Sequence, residues 1–214
     1  MRFINKLNDK QPLIIAIFIV VILLLTVFIV GITAHNKEIS AKKKAQAEMA
    51  KNARKLYAEG NYEKMIKDLN VYLKKNPEDY EAHALLSSAY IVTGKVPEAY
   101  EETKKLYEHK TNPDIAYQLG ILADKMGKKD EAIGYLRACV KAKPNSLPFH
   151  TALGDLYFKY KKYNEAIHEW DTLLKILPKD SPLKPEVYNK LANAYNALGN
   201  PARANELLKE AASR

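Results

Sequence analysis

Four glycines recur along most of the chain, at Gly60, Gly94, Gly127 and Gly199, and Lys161 stands in the one empty slot between the last two. The steps from marker to marker are 34, 33, 34 and 38 residues. Two apolar patterns of helical spacing lie between successive markers, so the sequence predicts a helix, a tight turn and a second helix, repeated five times. A unit of this length cannot bury its apolar face alone and must stack on its neighbours, which points to an all-α solenoid. Arrays of this kind usually bind polypeptide and seldom carry chemistry.

Counted from 14 residues before each marker, the units begin at Gln46, Tyr80, Pro113, Leu147 and Pro185. The eighth position is always small: Ala53, Ser87, Gly120, Gly154 and Ala192. A small residue is needed where two helices of one hairpin cross closely. The twentieth position, on the opposing helix, reads Met65, Ala99, Ala132, Ala166 and Ala204. The twenty-fourth reads Leu69, Thr103, Leu136, Trp170 and Leu208, an expected core stripe. Pro77, Pro144 and Pro178 end second helices, because proline has no N–H to continue them. The first unit departs from the pattern with Asn52 and Met65, so an irregular hairpin is expected there, and the last carries Asn205 and Ala212 where a polar self-cap would lie. Before the fifth unit, prolines at 178, 182 and 185 forbid a continuous helix, and Ser181 or Asp180 can cap a turn.

These matched positions resemble the tetratricopeptide repeat family, most clearly in Tyr117-Gln118-Leu119-Gly120, Ala152-Leu153-Gly154-Asp155-Leu156-Tyr157 and Tyr163-Asn164-Glu165-Ala166-Ile167. The resemblance covers residues 46–214, with repeats at 46–79, 80–112, 113–146, 147–180 and 185–214. It implies a right-handed solenoid of about five antiparallel helix pairs, with a concave groove lined by the first helix of each pair. The Ser181-Pro182-x-x-Pro185-Glu186 junction is similar to those of bacterial cell-envelope repeat proteins.

Ahead of the repeats, residues 13–34 form a run of 22 residues without a charge, nearly all Ile, Leu, Val and Phe. That exceeds the ~20 residues a helix needs to cross the hydrocarbon core, so the segment reads as a transmembrane helix behind a short tail, residues 1–12. A cleaved signal peptide would have an apolar stretch of only about 7–15 residues. Residues 35–45 form a basic linker rich in helix-favouring residues, and no Gly or Pro occurs between Gly31 and Gly60. The membrane helix is therefore expected to run through Lys42-Lys43-Lys44 into the first repeat, or to break only briefly near Asn36. Arg2, Lys6 and Lys10 precede the helix and Lys37, Lys42, Lys43 and Lys44 follow it, which leaves orientation open. A bacterial inner-membrane protein with its repeats outside the cytoplasm is the favoured reading, with cytoplasmic repeats as the alternative.

The net charge of +9 divides into +5 over residues 1–46 and +4 over residues 47–214. More than half of the excess flanks the membrane helix, where basic residues meet lipid headgroups, and nucleic acid is not an expected partner. A single cysteine, Cys139, forms no internal disulfide or CxxC pair. The histidines assemble no metal site, with His83 and His150 at a packing position, and no phosphate loop or GxSxG motif occurs. No catalytic residue, cofactor or metal is expected.

Function is sought in the groove. First-helix positions 5, 9 and 12 give Tyr117, Ile121 and Asp124 in the third unit and Ile91 in the second. They give Asp155 and Phe158 in the fourth, beside Thr151, and Asn189, Asn193 and Asn196 in the fifth. Apolar side chains there can take up those of a partner, and asparagine amides can both donate to and accept from a peptide backbone. The sequence points to a non-catalytic, membrane-anchored scaffold or assembly factor for envelope or membrane protein complexes. A cytoplasm-facing receptor, or a fixed structural subunit of a larger membrane complex, remains the alternative.

Overall fold

The computed structural model describes residues 11–213, with side chains from Ile15; the tail charges Arg2, Lys6 and Lys10 lie outside the described residues. The chain divides into two compact units at Asn52 and Ala53. The described residues form helices and connecting turns, without a strand.

The first helix, α1, runs unbroken for 48 residues over Gln11–Ala58, passing Asn36 without a kink residue. From Ile15 to Ile32 its large apolar side chains are 44–71% exposed, so the protein itself covers none of them. By length and composition this helix could cross a membrane. Its two threonine hydroxyls are satisfied within the helix, Thr26 donating to the Leu23 carbonyl at 2.8 Å and Thr33 to that of Val30 at 2.9 Å. No exposed hydroxyl in that stretch therefore needs water.

Among the described residues nine further helices follow: α2 (Tyr62–Lys75), α3 (Tyr80–Val92), α4 (Val96–His109), α5 (Pro113–Lys125), α6 (Lys129–Ala142), α7 (Leu147–Lys159), α8 (Tyr163–Ile176), α9 (Lys184–Ala197) and α10 (Pro201–Ala212). Helices α3 and α4, α5 and α6, α7 and α8, and α9 and α10 pair as hairpins, and each second helix packs against the next first helix. One continuous core runs from Ala99 to Leu207.

All five turns close in the same way. The marker residue takes a left-handed conformation, with φ of 71–76° at the four glycines and 59° at Lys161. Its N–H bonds the carbonyl three residues back, and the next N–H bonds the carbonyl five residues back, as in Gly127 to Asp124 (3.0 Å) and Lys128 to Ala123 (2.9 Å). Lys161 and Lys162 repeat this with Phe158 (2.9 Å) and Tyr157 (2.8 Å). This double bond is the Schellman closure, which satisfies the last carbonyls of a helix and demands positive φ at its C′ residue. The first unit shares it through Gly60 and Asn61, so its turn is regular despite Asn52, which is exposed.

The crossing positions explain the small residues. A Cβ added at Gly120 would sit 2.9 Å from Leu136, and one at Gly154 would sit 2.5 Å from Trp170 Nε1. In the second unit the corresponding pair is polar: Ser87 Oγ lies 2.7 Å from Thr103 Oγ1, which itself donates to the Ala99 carbonyl at 2.7 Å. Because the threonine proton is committed, Ser87 is the donor to Thr103. Leu208 departs from its expected core role: it is 42% exposed at the twenty-fourth position of the last hairpin, and Leu207 is buried instead. No described helix follows α10 to cover it.

Successive repeats are joined by polar contacts as well as by the core. His150, 4% exposed, bonds Glu169 of its own hairpin at 2.7 Å through Nδ1 and the Pro144 carbonyl of the preceding repeat at 2.8 Å through Nε2. His83 does the same with Glu102 and the Pro77 carbonyl. Since a carbonyl can only accept, Nε2 carries a proton in both rings. The histidines are thus packing residues, as their position implied, and each also ties its hairpin to the proline that ended the previous helix. At the longer fourth junction Ser181 Oγ accepts from Leu183 N at 3.4 Å, and α9 starts with Pro185 in its first turn.

Candidate peptide-binding groove

Helices α5 and α7 leave a groove of about 620 Å³ between the third and fourth units. Tyr117, Ile121 and Asp124 line it from α5, and Thr151, Ala152 and Asp155 from α7. Leu147 and Pro148, at the start of α7, extend the apolar wall, and Leu183 in the junction before α9 forms a lip that is 48% exposed. Positions 5 and 9 face this space because they fall on one side of a first helix, four residues apart.

The two groove carboxylates are neutralised by the following repeat. Lys159 Nζ lies 2.7 and 2.8 Å from the Asp124 oxygens, and the Tyr160 hydroxyl donates to Asp124 at 2.9 Å. Lys190 Nζ lies 2.6 and 2.7 Å from those of Asp155. Each lysine stands 35 residues beyond its aspartate. The bond to Asp124 holds the Lys159 ammonium above the usual lysine range, and burial followed by the same bond raises the Tyr160 phenol. The groove therefore presents an apolar floor between two closed ion pairs, with little uncompensated charge.

The structure brings together five of the residues singled out in the sequence: Tyr117, Ile121, Asp124, Thr151 and Asp155. Asn189, Asn193 and Asn196 are exposed on α9, the helix that supplies Lys190, but do not line the cavity. Ile91 is 37% exposed on α3 and lies outside it. Phe158 does not line the cavity either. Its ring packs 5.7 Å from Trp170 and 5.4 Å from Tyr163, inside its own hairpin, because the large indole opposite Gly154 offers it an apolar surface. Leu183 was missed because it lies in the extra residues between repeats, where the repeat pattern assigns no role.

A family model described as tetratricopeptide repeat matches residues 113–146 and 185–214, the third and fifth units. These two units match the tetratricopeptide repeat. The structure of MamA superposes with a TM-score of 0.70 at 22% identity, covering 78% of this chain and 89% of that one. YrrB, described as a TPR protein with an unusual peptide-binding site, superposes at 0.65 and 19% identity, covering 76% and 82%. At these identities the likeness concerns the fold. In sequence, DnaJ homolog subfamily C member 3 of Gallus gallus is 26% identical over 189 residues, 81% of this chain and 36% of that protein. The cytochrome c-type biogenesis protein CcmH of Haemophilus influenzae is 25% identical over 136 residues, 61% and 29%. The chain spans about a third of the length of these curated relatives.

Among the described residues no cluster of His, Cys, Asp or Glu has the arrangement of a metal site. Cys139, in the third unit, is buried and donates to the Pro113 carbonyl at 3.2 Å. Burial, and then the nearby Asp114 charge, push its thiol up to about 11, the opposite of what a nucleophile needs. Tetratricopeptide repeats are typically non-catalytic interaction modules, and this thiol is a packing group.

Proposed function

We propose that the chain is a single-pass membrane protein whose tetratricopeptide repeats act as a non-catalytic scaffold, holding a polypeptide segment of a partner during assembly of a membrane or envelope complex. The observation that carries this reading is the groove between α5 and α7, whose apolar floor of Ile121, Leu147 and Ala152 is open to solvent while its carboxylates are already paired. Such a site suits a largely uncharged segment inserting one or two apolar side chains. The amides of Asn189, Asn193 and Asn196 on the next first helix are available to the partner's backbone.

One relative supports the assembly role, through a name tied to cytochrome c-type biogenesis. The membrane role rests on the exposed apolar side chains of α1 between Ile15 and Ile32. Repeats on the outer side of a bacterial inner membrane are the orientation we favour.

Purification of the full chain in mild detergent, with mass spectrometry of what accompanies it, tests the scaffold. Replacing Ile121 and Thr151 with Asp and Asn193 with Ala should abolish partner capture and leave the unfolding free energy within about 1 kcal/mol of the parent, since all three side chains are at least partly exposed. Undiminished capture would overturn the groove reading. Protease protection in spheroplasts reports the orientation.

A further inference from the structure

We propose that Lys42, Lys43 and Lys44 form a collar that binds the headgroups of anionic phospholipids around the first helix; this rests on the reading of α1 as a membrane span. The unbroken helix places the collar in a definite register with the uncharged run that ends at Ala34. Lys42 to Lys44 lie eight to ten residues beyond Ala34, or roughly 12–15 Å along the axis at ~1.5 Å per residue. Helical side chains lean toward the amino terminus, which here is toward the membrane. A snorkelling lysine stem of roughly 6 Å then brings each ammonium to about 6–9 Å from the hydrocarbon edge. The headgroup layer on each side of a bilayer is about 5–8 Å thick, so the ammonium groups arrive near its outer edge, within reach of anionic headgroups.

Three consecutive residues step by about 100° around a helix, so the collar faces most of its circumference rather than one side. All three side chains are exposed and none makes an ion pair with another described residue. Lys37, nearer the hydrocarbon, is adjacent to Glu38 and contributes little net charge. The nearest acid on the other side is Glu48, a full turn beyond Lys44. A lysine close to an anionic surface gains about five-fold in attraction to it, so the three together favour anionic over zwitterionic lipid beside the helix several-fold at low salt.

The test uses the full chain reconstituted in phosphatidylcholine vesicles with trace spin-labelled phosphatidylglycerol or spin-labelled phosphatidylcholine. The motionally restricted fraction reports the lipid beside the helix. The parent should restrict the anionic label several-fold more than the neutral one, and 1 M salt should reduce this preference. Lys42→Gln/Lys43→Gln/Lys44→Gln should remove it, and the matching triple Arg variant should keep it. Equal restriction of the two labels by the parent, or an unchanged preference in the Gln variant, overturns the collar. Alkaline carbonate extraction of the same vesicles separates the two readings. A chain released by carbonate refutes the span itself, whereas a retained chain without lipid preference refutes the collar alone.

Discussion

Lys161 pays the conformational cost that its four glycine counterparts avoid, and replacing it with Gly should stabilise the fourth repeat. The residue sits at φ 59°, close to the ideal left-handed value of about 57°, while the glycines relax to 71–76°. A left-handed backbone costs an L-residue roughly 1–2 kcal/mol. Glycine avoids that cost but loses about 0.5–1 kcal/mol more chain entropy on folding. The net expectation for Lys161→Gly is a gain of about 0.5–1 kcal/mol. The lysine is exposed, and at the four glycine markers no atom lies within 4 Å of an added Cβ, so packing does not enter the balance. Urea unfolding of the full chain in detergent, followed by fluorescence, provides the assay. Trp170 is the single tryptophan and stands in α8, nine residues after the turn. With a slope near 2 kcal/mol/M the midpoint should rise by roughly 0.3–0.5 M. Lys161→Ala keeps a Cβ in the same conformation and should give no such rise, and Gly127→Lys should lower the midpoint by a similar amount. A Lys161→Gly midpoint at or below the parent's, or an equal gain from Lys161→Ala, would refute the argument from backbone conformation.

Gly154→Ala should cost about 3 kcal/mol by the same urea assay, since its Cβ would fall 2.5 Å from the buried Trp170 Nε1. Adding Trp170→Leu, which recreates the Ala53 and Leu69 pairing of the first repeat and removes an indole N–H without a partner, should recover much of that loss when unfolding is followed by circular dichroism. Thr103→Leu alone strands the Ser87 hydroxyl and should destabilise by about 2 kcal/mol, whereas Ser87→Gly/Thr103→Leu copies Gly120 and Leu136 and should unfold within about 1 kcal/mol of the parent. Cys139 should resist iodoacetamide at pH 8 in the folded chain and react at least ten-fold faster in urea, as measured by mass shift. Because its folded pKa is raised to about 11, its contribution to stability is present below the unfolded thiol's value near 8.5 and is lost as pH climbs toward 11.

What the sequence determined by itself is local and periodic. The turn closures follow from a marker every 33 to 38 residues, since a left-handed C′ position selects glycine wherever it can. The small eighth and twentieth positions follow from helix crossing, and the exposed apolar run of α1 follows from length and composition. The half of the groove set by helix periodicity, Tyr117, Ile121, Asp124 and Asp155, was legible for the same reason. The tertiary structure alone decided how side chains from different helices meet. It packed Phe158 against Trp170, which lies opposite Gly154 in the same hairpin. It closed Asp124 and Asp155 onto lysines of the next repeat, set His83 and His150 against the preceding proline carbonyls, and brought Leu183 from an inserted junction to the lip of the groove. A helical pattern specifies which face of its own helix a residue occupies. The distance to a residue a full repeat away depends on how the hairpins stack, and no local period contains it.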